Sequence, residues 1–313
     1  MMAEKIKLGR TDLQVSRVCF GCWQMAANEY WPVVEEDRLT RAVRRAIELG
    51  INFFDTADAY GDGFAEQLLG RMLKGIPREA FVLATKVYHH WLGEPGSPRV
   101  GDLSGDYIVW ECEQSLKRLG LDHIDLYQAH TFDVMTHLEE TARAFEKLKK
   151  DGKIRFYGVS NFNVEQLRAA NTFGHFDTVQ PRYNLLDREF ESSLGPLCMT
   201  HNLGVLTYSS LQYGLLTGKF TGTETFNDVR AMSPMFKGEA FRANVEKVNR
   251  LRPIGDRLGR SITQLSIRAL LEHPAVHCAI VGIKNEKQIE EAAGALGWRL
   301  SREDYYAIRQ ATT

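Results

Sequence analysis

The chain has 313 residues, of which 44% are hydrophobic and 25% charged, and its formal net charge is −1. That length suits one large α/β barrel, and so small a charge gives no basic field for a nucleic acid or an anionic membrane. The longest apolar stretch, Val276–Ile283, is far short of the roughly 20 residues a membrane span needs. Residues 1–15 hold no apolar core of signal-peptide length, so a cytoplasmic protein is expected.

In chain order, Ile6–Leu8 and Leu13–Val15, with Gly9 and Arg10 between them, predict a hairpin outside the repeat that follows, capping the bottom of a barrel. From Val18 onward, short apolar runs alternate with amphipathic stretches. The runs are Val18–Gly21, Asn52–Ala57, Phe81–Lys86, Ile124–His130, Ile154–Ser160, Thr178–Tyr183, Gly204–Ser210 and Val276–Gly282. They mostly lack the polar alternation of a half-exposed strand, as parallel strands covered on both faces do.

Between the runs lie helices. Leu39, Ala42, Val43, Ala46 and Ile47, with Asp37 as N-cap and Gly50 closing the segment, give the apolar stripe of a helix packed on a sheet. Similar stripes predict helices over Ala65–Leu73, Tyr107–Leu119, Glu139–Lys150, Val164–Asn171, Glu191–His201 and Lys287–Leu296. Thr263–Leu271 precedes the eighth run, and Arg302–Gln310 adds a C-terminal helix. Eight βα units predict a (β/α)8 TIM barrel, with residues 1–313 as a single domain. Two insertions, Val87–Asp106 and Thr217–Arg242, follow strands and are expected on the catalytic face.

The Cys19/Cys22 pair has the spacing of a zinc or redox motif, but no second CxxC and no finger-spaced His pair follows. Small buried hydrophobes are the expectation, and no metal site is predicted.

In an α/β barrel the C-terminal strand ends build the active site. Here those ends carry Asp55, Lys86, His130, Ser160-Asn161, Gln180, Tyr208 and Gly282. Any one polar residue there might merely terminate a strand; seven consecutive strands, with an acid, a lysine and a histidine among them, point to a site. An Asp and a Lys in one barrel mouth are expected to pair, since either alone is costly to desolvate. Tyr60 heads a Gly-rich loop five residues after Asp55. As a packing residue it would be an aromatic lid. Beside Lys86, its phenol pKa is expected to fall from ~10, making it a proton donor near neutral pH, with a neutral His130 orienting a carbonyl.

These residues bear a family resemblance. Asp55-Thr56-Ala57-Asp58-Ala59-Tyr60-Gly61, with Glu66 and Gly70 downstream, resembles the aldo-keto reductase signature. Ala84-Thr85-Lys86, Asp125–His130, Lys153–Phe162, Gln180–Asn184 and Gly214–Lys219 resemble that family's later blocks, in order and at matching spacing. The resemblance implies a catalytic tetrad of Asp55, Tyr60, Lys86 and His130, and NADP(H) as cofactor with NAD(H) as the alternative. No GxGxxG fingerprint occurs. The resemblance instead places Ser160, Asn161 and Gln180 on the carboxamide and Tyr208 against the nicotinamide. It also places Ser209, Leu211, Gly214 and Lys219 on the pyrophosphate, and Gly282, Lys284, Gln288 and Glu291 at the adenosine end. Lys284 stands where a basic residue meets the 2′-phosphate. Ala292, Ser210 and Ala65 depart from common family residues and put cofactor affinity, not the tetrad, in question.

Of the aromatic residues expected to ring the mouth, Trp23 is assigned to the cofactor and Trp31, Tyr88 and Trp91 to the substrate; His89 and His90 are read as loop packing. His273 and His277 are expected to face away from the site. The expected partner is a small-molecule carbonyl substrate, with the chain a monomer or homo-oligomer. Two rivals stay open: a Schiff-base aldolase using Lys86, and a cofactor-binding module resembling the potassium-channel β subunits.

Overall fold

The computed structural model describes residues 3–26, 30–93 and 97–313. Eight parallel strands close into a barrel: β1 (Val18–Gly21), β2 (Phe53–Asp55), β3 (Val82–Val87), β4 (Ile124–Ala129), β5 (Ile154–Ser160), β6 (Thr178–Gln180), β7 (Gly204–Thr207) and β8 (Cys278–Gly282). They follow one another around the ring in chain order, and β8 pairs with β1 through Ile280 opposite Cys19. The eight sequence runs all contain strands. Several extend beyond them, because the strand ends pass into the loops that form the mouth.

Helices α1 (Glu36–Glu48), α2 (Phe64–Leu73), α3 (Gly105–Leu119), α4 (Leu138–Lys150), α5 (Val164–Ala170) and α6 (Leu194–His201) follow the first six strands. In α1 the stripe Leu39, Ala42, Val43 and Ala46 is fully buried against the sheet, as its spacing requires. Helix α5 begins in a capping box, Asn163 with Gln166, and α10 (Ile262–Glu272) in another, Ser261 with Gln264. Between β7 and α10 the chain adds α7 (Val229–Met232), α8 (Gly238–Asn249) and α9 (Arg252–Leu258). The last two were not expected from the sequence, whose insertion was bounded at Arg242. Helices α11 (Glu286–Ala293) and α12 (Arg302–Ala311) complete the chain.

The N-terminal hairpin pairs Lys5–Lys7 with Gln14–Ser16. Its turn lies against the barrel bottom. Gly9 has φ +56°, and a Cβ there would fall on the backbone of Gly204, the first residue of β7. Leu8, Leu13 and Val15 join Cys19, Phe53, Val82, Ala84, Leu126, Leu206, Cys278 and Ile280 in one buried cluster that fills the barrel interior. Cys22 packs in the layer between strands and helices, and both it and Cys19 are free and buried. Among the described residues no helix is long and apolar enough to cross a membrane.

Candidate active site

Strand side chains alternate between faces, so the interior residues predict which neighbours point up into the mouth. Counting by twos from Phe53 reaches Asp55; from Val82 and Ala84, Lys86; from Leu126, Gln128 and then His130. The same step leads from Leu206 to Tyr208 and from Ile280 to Gly282.

Lys86 is fully buried. Its Nζ donates to Asp55 Oδ1 at 2.7 Å and to the Thr56 carbonyl at 2.7 Å, and lies 3.4 Å from Tyr60 Oη. Gln180 Nε2 donates to the other Asp55 oxygen at 2.8 Å. A buried ion pair needs such further bonds to offset desolvation. Burial opposes the Lys86 charge, but Asp55 and Tyr60 outweigh it and hold the ammonium above its ordinary pKa.

The phenol corrects the sequence expectation. Tyr60 is pushed up to about 12, not down: burial is the largest cause, and Asp55 counters part of what Lys86 does to lower it. His130 behaves as expected, held down to about 3 by burial and by Lys86, and is therefore neutral. Among the described residues its Nδ1 is buried without a hydrogen-bond partner, 4.0 Å from Asp58 Oδ1, which leaves Nε2 as the ring nitrogen for the cavity. Tyr60 and His130 meet edge-on, ring centroids 6.0 Å apart.

Behind this pair lies an acidic cluster. Asp58, Glu66 and Glu111 are all fully buried, with Arg118 as the guanidinium they share. Arg118 bonds Glu66 at 2.7 Å and also pairs with Glu111. Burial and the charge of Asp58 push the Glu111 carboxyl up to about 8, and burial also raises Asp58.

A cavity of about 660 Å³ runs from Tyr60 and His130 across the mouth to the loops after β7 and β8. Asp55, Tyr60 and His130 line it, while Lys86 lies beneath. All the residues assigned to the cofactor line it too: Trp23, Ser160, Asn161, Gln180, Tyr208, Ser209, Leu211, Gly214, Lys219, Gly282, Lys284, Gln288 and Glu291. Asn161 Nδ2 donates to the His130 carbonyl at 2.9 Å, and Tyr208 Oη donates to Asn161 Oδ1 at 2.7 Å. Four non-glycine residues of the wall, Asn161, Ser209, Gln212 and Tyr213, have φ between +44° and +56°. Backbone strain of this kind clusters at functional sites.

At the far end Lys219, Arg230 and Lys284 converge. Lys219 Nζ lies 3.0 Å from where a Cβ on Gly214 would stand. Lys284 Nζ sits 4.4 Å over the Trp31 ring. Arg230 bonds Asp228 at 2.9 Å. Burial first, and then the charge of Arg230, lower both lysines.

The substrate assignments need correction. Trp31 lines the cavity but packs against Trp23, Tyr213 and Lys284, at the end where the cations converge. Tyr88 is not in the cavity wall; its ring fills the space over Gly101 and meets His89 edge-on at 5.1 Å. Trp91 is also outside the wall, its Nε1 buried without a partner among the described residues. His89, expected as loop packing, does line the cavity, whereas His90 stacks on Tyr107 at 4.2 Å. Gln24, Tyr30, Arg99, Gln212, Tyr213 and Arg230 line the cavity and were missed. Gln24 had a weak signal as the neighbour of Trp23, and Arg230 had none inside an insertion without periodicity. His273 packs on Tyr183 and Phe190, and His277 on the start of β7, both away from the mouth.

The aldo/keto reductase family model matches residues 17–313. An NADH-specific methylglyoxal reductase of Escherichia coli (strain K12) is 32% identical over 98% of both chains. A probable voltage-gated potassium channel subunit beta of Oryza sativa subsp. japonica is 36% identical over 92% of this chain and 90% of that one. The solved glycerol dehydrogenase AKR11B4 from Gluconobacter oxydans superposes with a TM-score of 0.91 at 33% identity, covering 99% of this chain and 95% of the other. The chain belongs to the aldo/keto reductase family, whose members are oxidoreductases using nicotinamide cofactors.

Proposed function

We propose that residues 1–313 form one catalytic unit that reduces a carbonyl substrate with NADP(H), Tyr60 giving the proton. The observation that carries this reading is the placement of the Tyr60 hydroxyl 3.4 Å from a buried, paired ammonium and beside a neutral imidazole in one cavity.

The residues suit a dinucleotide. One end of the cavity offers amide and hydroxyl groups, Ser160, Asn161 and Gln180, with the flat ring of Tyr208; the other offers three cations. Among the described residues Gln24 Oε1, over Gly282, is buried without a partner, and a ribose hydroxyl would satisfy it. Trp31 Nε1 is a buried donor in the same state.

When bound, the cofactor supplies the hydride. His130, neutral, donates from Nε2 to the carbonyl oxygen and orients it. Tyr60 Oη transfers its proton to that oxygen as negative charge develops, and Lys86, held by Asp55, stabilises the phenolate left behind. Lys219, Arg230 and Lys284 support NADP(H) over NAD(H), since a 2′-phosphate adds charge that cations bind strongly.

The aldolase reading loses support here. A Schiff base requires a free amine, and Asp55 holds Lys86 as ammonium. The channel-subunit reading, cofactor binding without turnover, is disfavoured by the convergence of Asp55, Tyr60 and His130 on one cavity with Lys86 beneath. Turnover of NADPH and NADH against a carbonyl panel, in the parent and in Tyr60→Phe, tests the proposal. An absence of turnover with every carbonyl and both cofactors would reject the reductase.

A further inference from the structure

The insertion after β3 holds a two-stranded ribbon, His89–Trp91 with Arg99–Gly101; residues 94–96 of that insertion lie outside the described residues. The ribbon pairs His89 with Gly101, His90 with Val100, and Trp91 with Arg99. Alternation puts His89, Trp91 and Arg99 on one face and His90 and Val100 on the other. The second face is turned from the cavity: His90 stacks on Tyr107 and its Nδ1 lies 2.8 Å from Asp102 Oδ2. The first face overhangs the tetrad. His89 meets His130 edge-on at 5.3 Å, and both His89 and Arg99 line the cavity with Tyr60.

Arg99 is poorly satisfied where it stands. Its hydrogen-bond partner among the described residues is Asp62, with Nη1 3.4 Å from Oδ1. Asp62 belongs to the loop after Tyr60 and is not part of the cavity wall. A guanidinium has five donor hydrogens in a planar fork, so most of its donors are left for solvent and the open cavity. Arg99 is also close enough to the two imidazoles for its charge to contribute, after burial, to holding both neutral.

Behind the wall at this end Arg118 pairs with Glu66 and Glu111, and Asp58 lies beside His130. Asp55 is neutralised by Lys86, and the other cations of the wall, Lys219, Arg230 and Lys284, stand on the loops after β7 and β8, across the barrel mouth. A carbonyl placed between Tyr60 and His130 would thus have a guanidinium in the same cavity wall.

We propose that the ribbon is the substrate-selecting element, and that Arg99 gives the site a preference for aldehydes or ketones carrying a carboxylate or phosphate group. This rests on the reductase reading above. The fork matches either anion in a bidentate fashion, and the anion displaces the long contact to Asp62. Charge-assisted bonds of this kind correspond to roughly a ten- to hundred-fold preference.

Matched substrates test it: 4-oxobutanoate against butanal, and glyceraldehyde 3-phosphate against glyceraldehyde, each by kcat/KM with NADPH and with NADH. The parent should favour the anionic member of at least one pair about tenfold or more, and the favoured pair identifies the group as carboxylate or phosphate. That ratio should collapse toward one in Arg99→Met, stay intermediate in Arg99→Lys, and shrink with added salt in the parent. A ratio near one for both pairs in the parent overturns the proposal while leaving the reductase intact. Equal losses for both members in Arg99→Met overturn it too, because they would make Arg99 a latch for the Tyr60 loop. If neither pair is turned over while another carbonyl is, this proposal fails and the reductase stands; if no carbonyl is turned over with either cofactor, both fail.

Discussion

Tyr60 touches an ammonium and still ionises less readily than a free phenol, because burial outweighs the help of Lys86, part of which Asp55 also offsets. The direction matters for pH. A phenol raised to about 12 stays protonated below that value. Carbonyl reduction should therefore be flat from neutral to beyond pH 10, whereas alcohol oxidation, which needs the phenolate as base, should climb about tenfold per pH unit. An alkaline loss of reduction with its midpoint near pH 8 would show that Lys86 outweighs burial after all. Tyr60→Phe should lower kcat at least ~10²-fold with little change in cofactor affinity, as single-turnover and binding measurements would show. Lys86→Met should be nearly inactive and Asp55→Asn less impaired, since the second leaves the ammonium in place. Lys284→Ala should weaken NADPH binding roughly tenfold or more and leave NADH binding almost unchanged. Equal affinity for the two cofactors in the parent would remove the 2′-phosphate role. In the sequence, Asp55, Lys86 and His130 were legible as residue types at strand ends and Tyr60 as the head of the loop that follows. The sign of the Tyr60 shift was not, because burial and the Asp55 contact are properties of the folded site.

At the scale of elements, the parallel strands were legible because both faces are covered, and apolar runs of that kind have few other readings. The mouth residues followed from them by alternation alone. Helices α8 and α9 were lost because their apolar residues, Phe241, Val245, Val248 and Leu251, pack into a separate cluster with Leu215, Phe220 and Phe236 instead of on the barrel. Tyr88 and Trp91 were misplaced for a related reason: whether a loop aromatic faces the cavity depends on the pairing of the ribbon, which no local signal fixes. The hairpin that plugs the barrel bottom invites a direct test. Gly9 has a left-handed φ and no room for a side chain against Gly204, so Gly9→Val should destabilise the fold by about 2 kcal/mol or more. Chemical denaturation would measure it, and a loss under half of that would mean the turn can move away from the bottom.

On the scale of the molecule, two sets of buried titrating groups act in opposite directions. His89 is held down to about 4 and His130 to about 3, with His273 and His277 also lowered, burial being the first cause for each. Their contribution to stability is present above the ordinary histidine value of ~6.5 and is lost as pH falls below it. Glu111 is the reverse. Its folded pKa of about 8 lies above the ordinary carboxyl value, so its contribution falls as pH rises toward 8. The melting temperature should peak near neutral pH, and Glu111→Gln should lessen the fall between neutrality and about pH 8. A peak below pH 6, or an alkaline slope unaltered in the variant, would show that the acidic cluster keeps no proton.

The cluster of Asp58, Glu66 and Glu111 around Arg118 also makes folding an acid–base reaction. Below about pH 6.5 the collapsing chain expels protons from its histidines. From neutrality to about pH 8 it draws a proton in to Glu111. Refolded in weakly buffered solution, the protein should acidify its medium on one side of neutrality and make it more alkaline on the other. Near neutral pH the exchange cancels, and the chain folds without exchanging protons with the solvent.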